Sequence, residues 1–317
     1  MRGLELARAF YTEVAAEALR EALPHAVDNL AVGLVGEGSE CFGFDDEVSR
    51  DHDWGAGICV WAPEAMLPEL EAVIAPVFAR FPSSFKGFPV RMAPTHRNGR
   101  VGLFSIEGFY RRFINSSTPL STWQQWYTVP EYFLAVCTNG EVFADPAGDF
   151  SKFRNTLLDF YPEDVRRKKL AARLGVMAQS GQYNLLRILK RNDTAGALLA
   201  VSRFVESTIG AMSLLHRTYM PFYKWAYRGL QELPESEGIV RKLSSVLELP
   251  LTRGAACVSQ AEQAVEAVCV EMTALLHSAA LATSSEPWLM TQAEQVQAQI
   301  ENPQIRQLPV LHGIQCS

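Results

Sequence analysis

The stretch GSECFGFDDEVSRDHDW, residues 38–54, decides how the chain is read. It follows a short apolar run, Leu30 to Val35, that stops at Gly36 and reads as a buried strand. It leads into His52 to Trp61, where His52, Trp54, Ile58 and Val60 alternate around two glycines and predict a second strand. Between Glu37 and Asp53 stand seven carboxylates and a single base, Arg50. Asp51 and Asp53 lie two apart at the head of the predicted strand, and side chains so spaced share a face. Converging carboxylates repel unless a cation lies between them, and hard oxygen ligands select Mg²⁺ or Mn²⁺. Gly38 lets backbone N–H groups approach a ligand and the Ser39 hydroxyl adds a donor, a pairing that suits phosphate. The competing reading is a solvated surface loop in which Asp-x-Asp recurs by chance.

Upstream, Leu4, Leu6, Phe10, Val14 and Leu19 fall at near-helical spacing before Pro24. Downstream, Glu64 to Phe81 predicts a helix with Pro68 and Pro76 inside it, and Pro82 to Asn98 a loop. Val101 to Ile106 predicts a third strand, and Pro130 to Cys137 a short helix or strand. Glu141 to Ala144, after the turn Asn139-Gly140, predicts a fourth strand. From Phe150 onward alternation gives way to 3.6-residue periodicity, over Val165–Ala178, Tyr183–Lys190, Gly196–Leu215, Tyr223–Leu230, Ala255–Ala282 and Glu286–Ile300. The expected fold class is therefore α+β, with a sheet-bearing domain over 1–149 and an all-helical domain over 150–317. The tail from Pro303 reads as short and loose.

With 48% hydrophobic and 20% charged residues among 317, the composition excludes a disordered chain and a fibrous repeat. Six scattered cysteines without a CxxC pair read as reduced thiols and not as a disulfide or zinc framework. No run approaches the ~18 apolar residues of a membrane span, and acids stand where a signal peptide would be apolar. A cytoplasmic protein without a membrane partner is expected. The net charge of −6 is unevenly spread: residues 1–150 carry 11 basic and 20 acidic side chains, residues 151–253 carry 17 and 9. Such a division suits metal cations on one side and an anionic ligand on the other, against the plainer reading of solvated helix faces. Arg166-Arg167-Lys168-Lys169 is read as such a solvated face. No nucleic-acid partner is expected of an acidic chain without a reader motif.

Gly38-Ser39, Gly43 and Ser49, then Asp51-His52-Asp53 between two strands, resemble the signature of the polymerase-beta-like nucleotidyltransferase superfamily. The wider stretch GSECFGFDDEVSRDHDW, with NGEVFADPAG, QSGQYNLLR and YMPFYKW, also resembles a bacterial family known only as a domain of unknown function, over residues 30–230. The resemblance implies a nucleotidyltransferase-type mixed sheet with flanking helices, followed by a helical substrate- and nucleotide-binding domain. By it, Gly38, Ser39 and Ser49 would bind a nucleoside triphosphate, while Asp51 and Asp53 would be catalytic and hold two divalent ions, Mg²⁺ or Mn²⁺. Active members carry a third carboxylate on a neighbouring strand. Val101 to Ile106 contains no acid, so the candidate is Glu107 at its end, with Asp145 or no residue as the alternatives.

In the helical half the candidate nucleotide contacts are Tyr183, Arg187, Arg217 and Lys224, with Gln182, Asn184, Tyr219 and Trp225 beside them. Lys224 sits inside an aromatic run, and its compact cation suits a phosphate. The competing reading makes the aromatics core and the bases a solvated face. The expected activity is Mg²⁺-dependent transfer of a nucleoside monophosphate from an NTP, ATP favoured, to a hydroxyl-type acceptor, with a small molecule favoured. The alternatives are a non-catalytic nucleotide- or metal-binding module of the same fold, or a partner-regulating protein of toxin–antitoxin type. The acceptor, the base and the assembly state, a homodimer included, stay open.

Overall fold

The computed structural model describes residues 1–51, 53–251 and 255–313. His52 of the predicted second strand and Cys316, the last of the six cysteines, lie outside the described residues. In chain order the helices are α1 Gly3–Phe10, α2 Ala16–Ala22, α3 Leu67–Ala79, α4 Ile106–Ile114, α5 Trp123–Thr128, α6 Glu131–Thr138 and α7 Asp149–Leu158. They continue with α8 Glu163–Met177, α9 Leu186–Lys190, α10 Thr194–Leu215, α11 Tyr223–Gln231, α12 Glu237–Leu247, α13 Ala255–Ser278, α14 Leu289–Ala298 and α15 Pro303–Arg306. The strands are β1 Ala31–Leu34, β2 Cys59–Ala62, β3 Ser84–Phe85, β4 Phe88–Pro89, β5 Gly102–Ser105 and β6 Glu141–Ala144. The chain is thus mixed α+β with a helical C-terminal region, and it divides into two compact units. The first comprises residues 1–121 and 129–160, the second 122–128 and 161–317.

The first unit is built on a mixed four-stranded sheet of order β5-β2-β1-β6. β1 runs antiparallel to β2 and β6, while β2 and β5 are parallel, joined through α3 as parallel neighbours require. Every residue of β1 and β2 is buried, so both faces of the sheet centre are covered and no polar alternation survives in the sequence. Trp61 on β2 stacks on Phe150 with ring centroids 4.0 Å apart, and Tyr110 stacks on Phe153 at 3.7 Å. Phe10 meets Phe81 and Phe85 edge-on. The predicted second strand begins at Cys59 and not at His52. Trp54 is buried because its indole donates to Asp45 within the preceding loop, which mimics strand alternation.

In the second unit α8 packs against α10, α14, α5 and α15. The run Arg166-Arg167-Lys168-Lys169 is therefore no solvated face, contrary to the expectation from sequence, since Arg166, Lys168 and Lys169 are buried. Lys168 is fully enclosed and donates to Gln297 Oε1 at 3.2 Å and to the carbonyls of Pro309 and Val310 at 2.8 and 2.6 Å. The described part of the tail, residues 303–313, is therefore not loose: α15 buries Ile305, and Lys168 holds the carbonyls of Pro309 and Val310 beyond it. The sequence reading also lacked α12, which buries Ile239, Leu243 and Val246 at helical spacing. Among the described helices, α10 is the one long and apolar enough to cross a membrane by length and composition, and 61% of its apolar window is buried. The five described cysteines are free and buried.

Candidate functional site

The acidic turn starts where β1 ends. Gly36 donates to the Asn139 side-chain oxygen at 3.0 Å and accepts from its amide at 2.8 Å, which clamps the strand end to the turn before β6. Gly38 then leads into a 3₁₀ turn, Ser39–Phe42, that Gly43 closes at φ +70. A Cβ on Gly38 would lie 2.4 Å from the Glu40 carboxylate, so a side chain there would have to displace the Glu40–Arg91 pair. The Ser39 hydroxyl, half-buried, has no hydrogen-bond partner among the described residues.

Burial sorts the seven carboxylates. Glu40 is 4% exposed and pairs with Arg91 at 3.0 Å, and Arg91 also donates to the Asp53 carbonyl. Asp45 accepts from the Gly3 N–H at 2.8 Å and from the Trp54 indole at 3.1 Å. These contacts tie the start of α1, the 3₁₀ turn and the Asp53–Trp54 segment into one buried polar knot. Arg50 lies over the Trp54 ring at 4.8 Å. Glu37 pairs with Arg112 at the surface. The remaining acids are exposed or half-exposed.

Asp51 and Asp53 do not lie on a strand. Asp51 is exposed and ends the 3₁₀ turn Val48–Arg50, and Asp53 takes a left-handed backbone at φ +54. The two-residue strand periodicity therefore does not aim them. Asp53 accepts from the Asn98 amide and stands 3.9 Å from Arg100. Ser49 is engaged locally: its N–H and hydroxyl donate to Asp46 Oδ1 at 2.9 and 3.0 Å. Both third-acid candidates hold main chain. Glu107, in the first turn of α4, accepts from the Glu64 N–H at 2.9 Å. Asp145 accepts from the N–H groups of Gly148 and Ser151 at 3.0 and 2.7 Å and so seats the start of α7. Among the described residues no group of three or more His, Cys, Asp or Glu is placed to hold a metal ion. Arg91, Asn98 and Arg100 went unread because they sit in a loop-like stretch with no periodicity to flag them.

Around the turn, burial pushes the thiol of Cys41 well up and that of Cys59 up to about 12, so neither is a thiolate near neutral pH.

In the second unit, Tyr183 is exposed within a π-helix, Ala178–Leu185, and the Arg187 guanidinium lies 4.5 Å over its ring. Gln182 is structural: it donates to Glu266 and the Pro287 carbonyl and accepts from the Leu289 N–H. Lys224 is exposed at the start of α11, 5.1 Å over the Trp225 ring, beside exposed Phe222 and Tyr223. Tyr219 meets Tyr161 edge-on. Arg217 donates to Glu163 at 2.8 Å.

A family model described as a domain of unknown function (DUF4037) matches residues 126–226, from α5 to the start of α11 and less than half of the chain. No curated protein and no solved structure matches.

Proposed function

We propose that the chain is a nucleotidyltransferase-type protein that holds a nucleoside triphosphate, ATP favoured, at the Gly38-Ser39 turn and transfers its nucleoside monophosphate to a hydroxyl-type acceptor. One observation carries the reading: three residues after β1 the chain reaches Gly38-Ser39, whose half-buried hydroxyl has no partner among the described residues, and it returns through Asp51 and Asp53 to β2, the neighbour of β1 in the sheet. In this reading Ser39 donates to a phosphate oxygen, and the Glu40–Arg91 pair fixes the turn that presents it. Lys224, Tyr183 and Arg187, nucleotide candidates by the sequence reading, are exposed on the second unit.

Carboxylates suit Mg²⁺ or Mn²⁺ chemically, but as placed Asp51 and Asp53 form no cage. Asp53 would first have to exchange Asn98 and Arg100 for the ion. A second reading, a nucleotide-binding module without turnover, is favoured by one observation: Glu107 and Asp145 already spend their carboxylates on backbone N–H groups.

Calorimetry with ATP, and pyrophosphate release across a panel of hydroxyl acceptors with Mg²⁺ present, test both readings. Ser39→Ala, which removes the phosphate donor, is expected to weaken ATP binding and to cut release about tenfold. Equal release from wild type and variant sinks the catalytic assignment, and ATP binding without release from either supports the module.

A further inference from the structure

Three guanidiniums converge on one carboxylate at the start of α8. Arg166 grips Glu163 through two bonds, 2.7 and 2.9 Å, and gives its third group to the Leu214 carbonyl at 3.2 Å. Arg217 reaches the same carboxylate through a single nitrogen at 2.8 Å. Arg167 donates to the Gln299 carbonyl at 2.8 Å. Its Nε lies 3.1 Å from Glu163 but out of line for a hydrogen bond, buried with no acceptor. Three cations on one anion leave two positive charges uncompensated. The guanidiniums hold the Glu163 carboxyl below the usual carboxylate range, so it stays ionised and the surplus stays at two. Asp164, the next acid, pairs with none of the three guanidiniums, and its oxygens accept from the N–H groups of Glu301 and Asn302.

Arg217 makes this a site and not only a network. It is 54% exposed, and its backbone takes the left-handed region at φ +51, which costs an ordinary residue energy. It spends one nitrogen on Glu163, and a guanidinium is a five-donor fork shaped for a tetrahedral oxyanion. Arg166, buried to 6% exposure, supplies a fixed charge behind it, and the positive end of α8 adds to the field.

We propose that the second unit binds a phosphate group at the Arg217–Arg167 edge of the Glu163 cluster, as free phosphate or as the end of a larger molecule. The inference is independent of the nucleotide reading at Ser39.

Calorimetry and ³¹P NMR of the full chain with inorganic phosphate, against chloride at matched ionic strength, test it. Wild type is expected to bind phosphate with a roughly millimolar Kd. Arg217→Ala should weaken binding at least fivefold, and Arg217→Lys, which keeps the charge but loses the fork, at least twofold. Glu163→Gln removes the competing anion and should tighten binding severalfold. Circular dichroism checks that each variant is folded, and Arg217→Gln serves as a second probe of the same loss. Phosphate indistinguishable from chloride in wild type, or unchanged binding in Arg217→Ala, overturns the proposal. ATP provides the second arm: phosphate bound through Arg217 by a protein that fails to bind ATP leaves this site standing and removes the nucleotide reading. Loss of ATP and phosphate binding together in Arg217→Ala overturns the claim of a separate site.

Discussion

Glu40 and Asp51 look interchangeable in the sequence, yet one is 4% exposed and the other lies at the surface. A buried carboxylate is tolerated only when paired, and removing one partner strands the other charge. Glu40→Ala is therefore expected to cost about 3–5 kcal/mol, because Arg91 would be left buried and uncompensated. Glu107→Gln, which keeps an oxygen for the Glu64 N–H, should cost under about 1 kcal/mol. Urea unfolding reads both, and similar small losses would mean the Glu40–Arg91 pair does not hold the turn. None of this sorting was legible beforehand. Arg91 lies 51 positions from Glu40, and no local window reveals which acid will find a buried base.

At the scale of elements, the sequence reading located β1, β5 and β6 to within a residue or so. Short β-branched or apolar runs bounded by glycine are a local signal. β2 was extended too far upstream because Trp54 is buried by a loop contact and not by a ladder. The basic run of α8 was misplaced for a related reason: its partners Gln297, Gln299, Pro309 and Val310 lie more than a hundred residues away. Close backbone approach was also invisible. A Cβ on Gly33 of β1 would meet the Glu141 carbonyl oxygen at 2.3 Å and the Val142 Cα at 2.9 Å, where the β1–β6 register shifts. Gly33→Ala must push β6 away, and a loss of about 2 kcal/mol or more is expected from thermal and urea unfolding. A neutral result would show that β6 can yield.

For the whole molecule, pH exposes the enclosed cation. Burial pulls the Lys168 ammonium down to about 8 from 10.5. Between those values the unfolded chain binds more protons than the folded one, so this group makes stability rise with pH from about 8 upward. Cys59 and Cys137 act oppositely: burial raises both from 9.0 to about 12, so stability falls as pH passes 9 and unfolded thiols ionise. The lysine's share is isolated by comparison with Lys168→Met. The wild type's unfolding free energy should gain on the variant's as pH rises through 8 to 10, and a constant offset would show that the ammonium is not perturbed. The division of the chain has a practical side too. The backbone enters the second unit for residues 122–128, leaves it until 160, and then returns. Cloning at any single junction therefore yields no pair of intact halves. A fragment of residues 1–149 carries off Trp126 without Tyr161, its edge-on neighbour, and lacks Phe150 and Phe153, which stack on Trp61 and Tyr110. Split-reporter and fragment-complementation designs on this chain need two breakpoints and a transplanted α5.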